Sequence, residues 1–168
     1  MKKGWITAIL LLLSACLITA CTPAQMEEPQ GEPYAFTVDG VSFTPGGSAA
    51  SVFAVWRGQA PKISTVGSCF QGVDGEDVAY VYTSFHILTF RESAADTEGV
   101  IVSISLTDDS VATAKGIAIG ASAQAVKDAY GTPTAETDSL YIYERGGTQL
   151  RFGLREGTVT NISYTLAE

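Results

Sequence analysis

The sequence predicts an α+β fold: two tandem repeats, each a helix followed by an antiparallel meander, with the sheets joined into one curved sheet and the helices on one face. Three observations predict it. Two stretches carry apolar residues at helical spacing, and each is closed by Gly and then Pro. Alternating strand-like runs follow each stretch. The runs of the first half align with those of the second, and such internal repetition bounds the fold before any single element does.

The folded part opens near Tyr34 with Phe36-Thr37-Val38-Asp39-Gly40-Val41-Ser42-Phe43, where Asp-Gly between alternating apolar residues signals a hairpin. A first helix is expected on Ala49, Val52, Phe53 and Trp56, stopped by Gly58 and Pro61. A long insert, 62–76, separates it from its strands. Those are Asp77–Tyr82, Phe85–Phe90 and Val100–Leu106. The second half repeats the order. Gly116-Ile117-Ala118-Ile119 leads into a helix on Ala123, Val126, Ala129 and Tyr130, stopped by Gly131-Thr132-Pro133. Its strands are Asp138–Tyr143, Thr148–Phe152 and Thr158–Tyr164, rich in β-branched and aromatic residues and bounded by Gly and acidic turns. Repeat 1 thus spans 34–110 and repeat 2 spans 111–168. Trp56 and Tyr130 are expected in the core.

The residues ahead of the domain set its address. Lys2 and Lys3 precede an apolar stretch from Trp5 to Leu13, then Leu17-Ile18-Thr19-Ala20-Cys21. A basic start, an apolar run too short for a bilayer span of about 20 residues and small residues before a cut make a secretory signal. The small residues run directly into Cys, which resembles the bacterial lipobox. That resemblance implies a signal peptide over 1–20, cleavage before Cys21, and a diacylglyceryl group on the Cys21 sulfur. Leu13-Ser14-Ala15-Cys16 also satisfies the pattern; cutting there leaves Leu17 and Ile18 in the mature chain. Lipidation places the protein on the extracytoplasmic face of a bacterial membrane, anchored rather than spanning, since several acyl chains hold where one does not. Residues 22–33 are rich in Pro, Glu and Gln with almost no apolar mass, so they form a disordered tether.

The chain carries a net charge of −8; without residues 1–20 it has 8 basic against 18 acidic residues, a net of −10. Nucleic acid is excluded as a partner, because its affinity comes from Lys and Arg neutralising phosphates. Once Cys21 is lipidated and Cys16 removed, Cys69 stands alone, so no intramolecular disulfide forms. No Lys, Arg or His lies near it in sequence to lower its pKa, and it reads as a small buried hydrophobe.

Catalytic patterns are thin. His86 is the only histidine and sits inside a strand run. No Cys/His pair has metal-ligand spacing, and Gly-x-Ser-x-Gly is absent. Asp74-Gly75-Glu76-Asp77 lacks the alternation and distal Glu of a calcium loop and reads as an acidic loop. Neither a catalytic role nor a cofactor or metal is expected. The aromatic pattern says more. Ala79, Val81, Leu140 and Ile142 alternate with Tyr80, Tyr82, Tyr141 and Tyr143. If the aliphatics face the helices, the four tyrosines lie on the opposite face, either as a partner-binding surface or as the cover of a half-exposed sheet.

The order of elements resembles the tandem-repeat fold of the β-lactamase inhibitor protein. Gly116-Ile117-Ala118-Ile119-Gly120 running into Ala125-Val126-Lys127-Asp128-Ala129-Tyr130-Gly131-Thr132-Pro133 resembles the opening of the SmpA/OmlA (BamE-like) envelope lipoproteins. Ser68-Cys69-Phe70-Gln71-Gly72, with Asp74 and Tyr80 beyond, is similar to lipoproteins of Gram-positive bacteria. The resemblance implies helices packed on an antiparallel sheet and a concave binding face. It does not carry β-lactamase inhibition over, because the inhibitor's disulfides cannot form here and its contact residues find no counterparts. The expectation is a lipid-anchored, non-enzymatic binding module recognising a protein or cell-wall ligand through its sheet face. The alternative is an accessory structural lipoprotein of an envelope assembly complex.

Overall fold

The computed structural model describes residues 31–50, 52, 58–68, 74–93, 95–96 and 99–167. The signal peptide, both candidate lipidation sites Cys16 and Cys21, tether residues 22–30, Cys69, and Phe53 and Trp56 of the expected first helix lie outside the described residues.

The described chain is mostly β. Hairpin β1 (Phe36–Val38) and β2 (Val41–Phe43) forms a small sheet of its own. Its Asp39-Gly40 turn has φ of 48° and 80°, the left-handed pair that a tight hairpin requires. An eight-stranded antiparallel sheet follows. Its strands are β3 (Lys62–Gly67), β4 (Glu76–Val81), β5 (Phe85–Arg91), β6 (Val100–Leu106), β7 (Ala135–Thr137), β8 (Leu140–Arg145), β9 (Thr148–Arg155) and β10 (Thr158–Leu166). They run in the order β3-β4-β5-β6-β10-β9-β8-β7. Each half is therefore a meander of four neighbouring strands, and the two meet where β6 pairs β10, with Leu106 opposite Ile162 and Ile104 opposite Tyr164.

This architecture corrects the expected α+β pair of helix-plus-meander repeats. Among the described residues there is one helix, α1 (Ala123–Tyr130). It starts where expected: Ser122 is extended at the N-cap and its hydroxyl accepts from the Ala125 N–H at 3.1 Å. Gly131, at φ 82°, ends it. The expected helix over 49–56 falls largely outside the described residues, although Ala49 and Val52 are both buried. Two strands were not anticipated. β3 lies in the stretch read as an insert, and β7 follows α1. Both are exposed along their whole length, so neither carries the apolar alternation that marks a half-buried strand; each exists because its neighbour offers a ladder.

One core joins the two halves. Ile87, Ile104, Leu150, Phe152 and Ile162 are fully buried on one face of the sheet. Over them pack Phe36 and Phe43 from the hairpin, Val52, and Val126 from α1. Matching bridges tie the covering segments down: Ser48 pairs with Val100 at the start of β6, and Ser122 with Thr158 at the start of β10. Because Ile162 sits at the seam with no exposed surface, Ile162→Ala should cost about 2–5 kcal/mol by the usual large-to-small penalty, read as a lower urea midpoint. Both halves should unfold together in that experiment, since the seam is shared.

Candidate functional site

The tyrosines alternate as expected, but in the opposite sense. Tyr80, Tyr82 and Tyr143 are buried at 3–4 % exposure, while Ala79, Val81 and Ile142 take the outer face with only partial burial. Strand parity groups residues into two sets without saying which set turns inward. A tyrosine ring hides more apolar area than Ala or Val, and it can be buried when its hydroxyl finds a backbone acceptor. Tyr82 Oη donates to the Val52 carbonyl, and Tyr143 Oη donates to the Gly131 carbonyl at 3.0 Å. Tyr141 is half-buried beside α1, with Lys127 Nζ 4.9 Å from its ring centre. Tyr80, Tyr82 and Tyr143 therefore cannot form the exposed binding surface expected of them.

The other singled-out residues are dispersed. His86 is exposed on the outer face of β5, opposite Val81 and Ser105. Glu76 of the acidic stretch is paired with Arg91 at 2.6 Å, and Asp74 is exposed. Among the described residues no three His, Cys, Asp or Glu side chains converge as metal ligands. No helix among them is long and apolar enough to cross a membrane.

What does converge is a set of residues that the sequence does not flag. The segment entering β1 lies on the β8–β9 hairpin. Tyr34 N donates to Thr148 Oγ1 at 2.7 Å, and that hydroxyl donates to the Arg145 carbonyl at 2.8 Å. Arg145 Nε in turn donates to the Glu32 carbonyl at 2.6 Å. Gly146 makes the approach possible: a Cβ there would stand 2.5 Å from the Gly31 carbonyl oxygen and 2.6 Å from Pro33 N. Tyr34 then meets Tyr130, the last residue of α1, edge-on at 6.2 Å between ring centres. Arg145 lies 4.4 Å over the Tyr34 ring, and Lys115 Nζ lies 4.9 Å over the Tyr130 ring.

These side chains line a partly open cavity of about 190 Å³, with Pro33, Tyr34, Lys115, Tyr130, Arg145 and Tyr164 among its lining residues. Tyr164 is 1 % exposed, and its hydroxyl has no hydrogen-bond partner among the described residues. Burial pushes the Tyr164 phenol well above the ordinary tyrosine range. Burial also raises Tyr34, opposed by Arg145, and Tyr130, opposed by a hydrogen bond with Thr113. A second groove, of about 410 Å³, lies between α1 and β7, lined by Lys127, Glu136, Tyr141 and Leu154. Lys127 closes one side of it by pairing Glu136 at 2.7 Å, and that pair raises the ammonium pKa.

No family model matches this chain, and neither a curated protein nor a solved structure was found that matches it.

The buried tyrosines make the fold sensitive to alkali. Desolvation pushes Tyr143 up to about 12. A group raised in the folded state contributes fully below its unfolded value near 10, and that contribution is lost as pH rises through the folded value. Tyrosinate absorbance at 295 nm and loss of circular dichroism should therefore rise together between about pH 10 and 12. Tyr143→Phe, which cannot ionise, should move the alkaline transition to higher pH.

Proposed function

We propose that the chain is a lipid-anchored, extracytoplasmic, non-enzymatic binding module that takes an extended segment of a partner protein onto the free edge of its sheet. The observation that carries this reading is β3. It has only β4 beside it among the described residues, none of its six residues is buried, and Ile63 and Val66 are 57 % and 56 % exposed. An edge strand presents a row of unpaired backbone donors and acceptors, and natural sheets blunt such edges with charge, Pro, bulges or shortness. The far edge of this sheet is blunted: β7 is three residues long and carries Glu136, paired with Lys127. β3 has Pro61 and Lys62 at one end only, and Ile63 to Gly67 are uncharged. An uncharged, apolar-studded edge of this length suits strand addition, where the backbone ladder supplies affinity and alternate side chains supply selectivity.

The address supports the same reading. Lipid on Cys21 fixes the chain to a membrane, and residues 22–30 give the domain a reach of roughly 30 Å when extended. Cys21→Ser should move the protein from the detergent phase to the aqueous phase in a cloud-point partition, while Cys16→Ser should leave it in the detergent phase. The reverse result would assign the anchor to Cys16.

The edge is tested by a photo-crosslinking residue at Ile63 in living cells, with the same probe at Glu136 as control. A discrete adduct is expected at Ile63 and not at Glu136. It should disappear with Val66→Lys, a surface change expected to alter stability by no more than about 0.5 kcal/mol. Identical adduct patterns at the two edges would defeat the proposal.

A further inference from the structure

We propose that the cavity between Tyr34, Tyr130 and Tyr164 is a binding site for a small organic carboxylate, independent of the strand edge. Four features of the cavity point to this ligand chemistry.

The first is charge. The chain is strongly acidic and has ten Lys and Arg in all, yet Lys115 and Arg145 stand at the same cavity. Neither has an acidic partner within 4.0 Å among the described residues, whereas Arg91 and Lys127 do. Among the described residues their hydrogen bonds use few of their protons: Lys115 Nζ donates to the Ala129 carbonyl at 2.7 Å, and Arg145 donates through Nε to the Glu32 carbonyl. An ammonium has three donors and a guanidinium five, so donors remain for an anion. The second is positioning. Each cation lies over a tyrosine ring, which holds it at the cavity without neutralising it.

The third is the Tyr164 hydroxyl. It is buried, it belongs to a side chain that lines the cavity, and it has no hydrogen-bond partner among the described residues. Native structures satisfy nearly all such groups, and each exception calls for an explanation. A ligand oxygen supplies one. The fourth is shape. Tyrosine rings and Pro33 leave a volume of about 190 Å³, roughly six water molecules at ~30 Å³ each. That is room for a compact body with an apolar or aromatic face, which inorganic phosphate lacks. Carboxylate oxygens accept from Lys115 and Arg145, and the ligand body packs on Tyr34 and Tyr130.

The test is calorimetry on the full lipidated chain in detergent, with benzoate as probe and benzamide and inorganic phosphate as comparisons. Benzoate should bind saturably at one site. Benzamide, the neutral analogue, should bind at least about tenfold more weakly, because hydrogen bonds to a charged group exceed those to a neutral one. Lys115→Met, at an exposed position, should weaken benzoate by a similar factor. Tyr164→Phe separates a binding role from a packing role. It should raise the melting temperature of the unliganded protein, by removing a buried unpaired hydroxyl, and at the same time weaken benzoate. Absence of saturable benzoate binding overturns the proposal. So does equal binding of phosphate, or a Tyr164→Phe protein that is more stable and binds benzoate unchanged. None of these outcomes bears on crosslinking at Ile63, so the two sites are judged separately.

Discussion

Everything in this domain depends on the pairing of β6 with β10. Neither four-stranded meander closes a core by itself, because a single sheet has one face to cover and little to cover it with. At the seam, Ile104 stands opposite Tyr164 and Leu106 opposite Ile162, all four buried. Joining the meanders there makes one apolar face wide enough for the β1–β2 hairpin, Val52 and α1 to pack on together. Among the described residues the covering layer holds one short helix, α1, and aromatic side chains supply much of its bulk. Phe36 meets Phe85 at 5.0 Å and Tyr164 at 6.2 Å, and Tyr82 stacks on Phe85 at 4.5 Å between ring centres.

The same constraint shapes both candidate sites. Tyr164 belongs to the seam, and its ring is needed there as packing. Its hydroxyl is carried with it to a place where the described residues offer no partner. The aromatic wall around it exists because the chain before β1 is pinned to the β8–β9 hairpin by Arg145, Thr148 and the close approach at Gly146. A core-forming ring, a turn and an incoming segment thus make a cavity between them. At the other end of the sheet, β3 lies beyond the region that the covering layer reaches, so its side chains stay in solvent.

Much of the β architecture is legible in the residues. The Asp39-Gly40 hairpin, α1 with its Ser122 cap and Gly131 stop, and the six inner strands are marked by local chemistry: turn residues, caps and period-two alternation. β3 and β7 are invisible for the opposite reason. They bury nothing, so no apolar pattern was required of them. The inversion of the tyrosines has a third cause. Alternation identifies the two sets, and the side that turns inward is settled by which set buries more apolar surface once acceptors such as the Val52 and Gly131 carbonyls are at hand. Of the cavity, the sequence marks only Tyr130, as the end of a helix. Tyr34, Lys115, Arg145 and Tyr164 come from four separate stretches and form no motif.

The sequence by itself determined the β1–β2 hairpin, α1 and the six inner strands, the acidic character, the lipobox pattern around Cys21 and the scarcity of catalytic groups. These depend on neighbouring residues, or on composition, and need no third dimension. The tertiary structure alone decided the order of strands in the sheet, the inward turn of Tyr80, Tyr82 and Tyr143, the open edge at β3, and the meeting of Lys115 with Arg145 around the Tyr164 hydroxyl. Each of these is a relation between residues far apart in the chain, fixed by competition for one shared core, and no local pattern encodes the outcome of that competition.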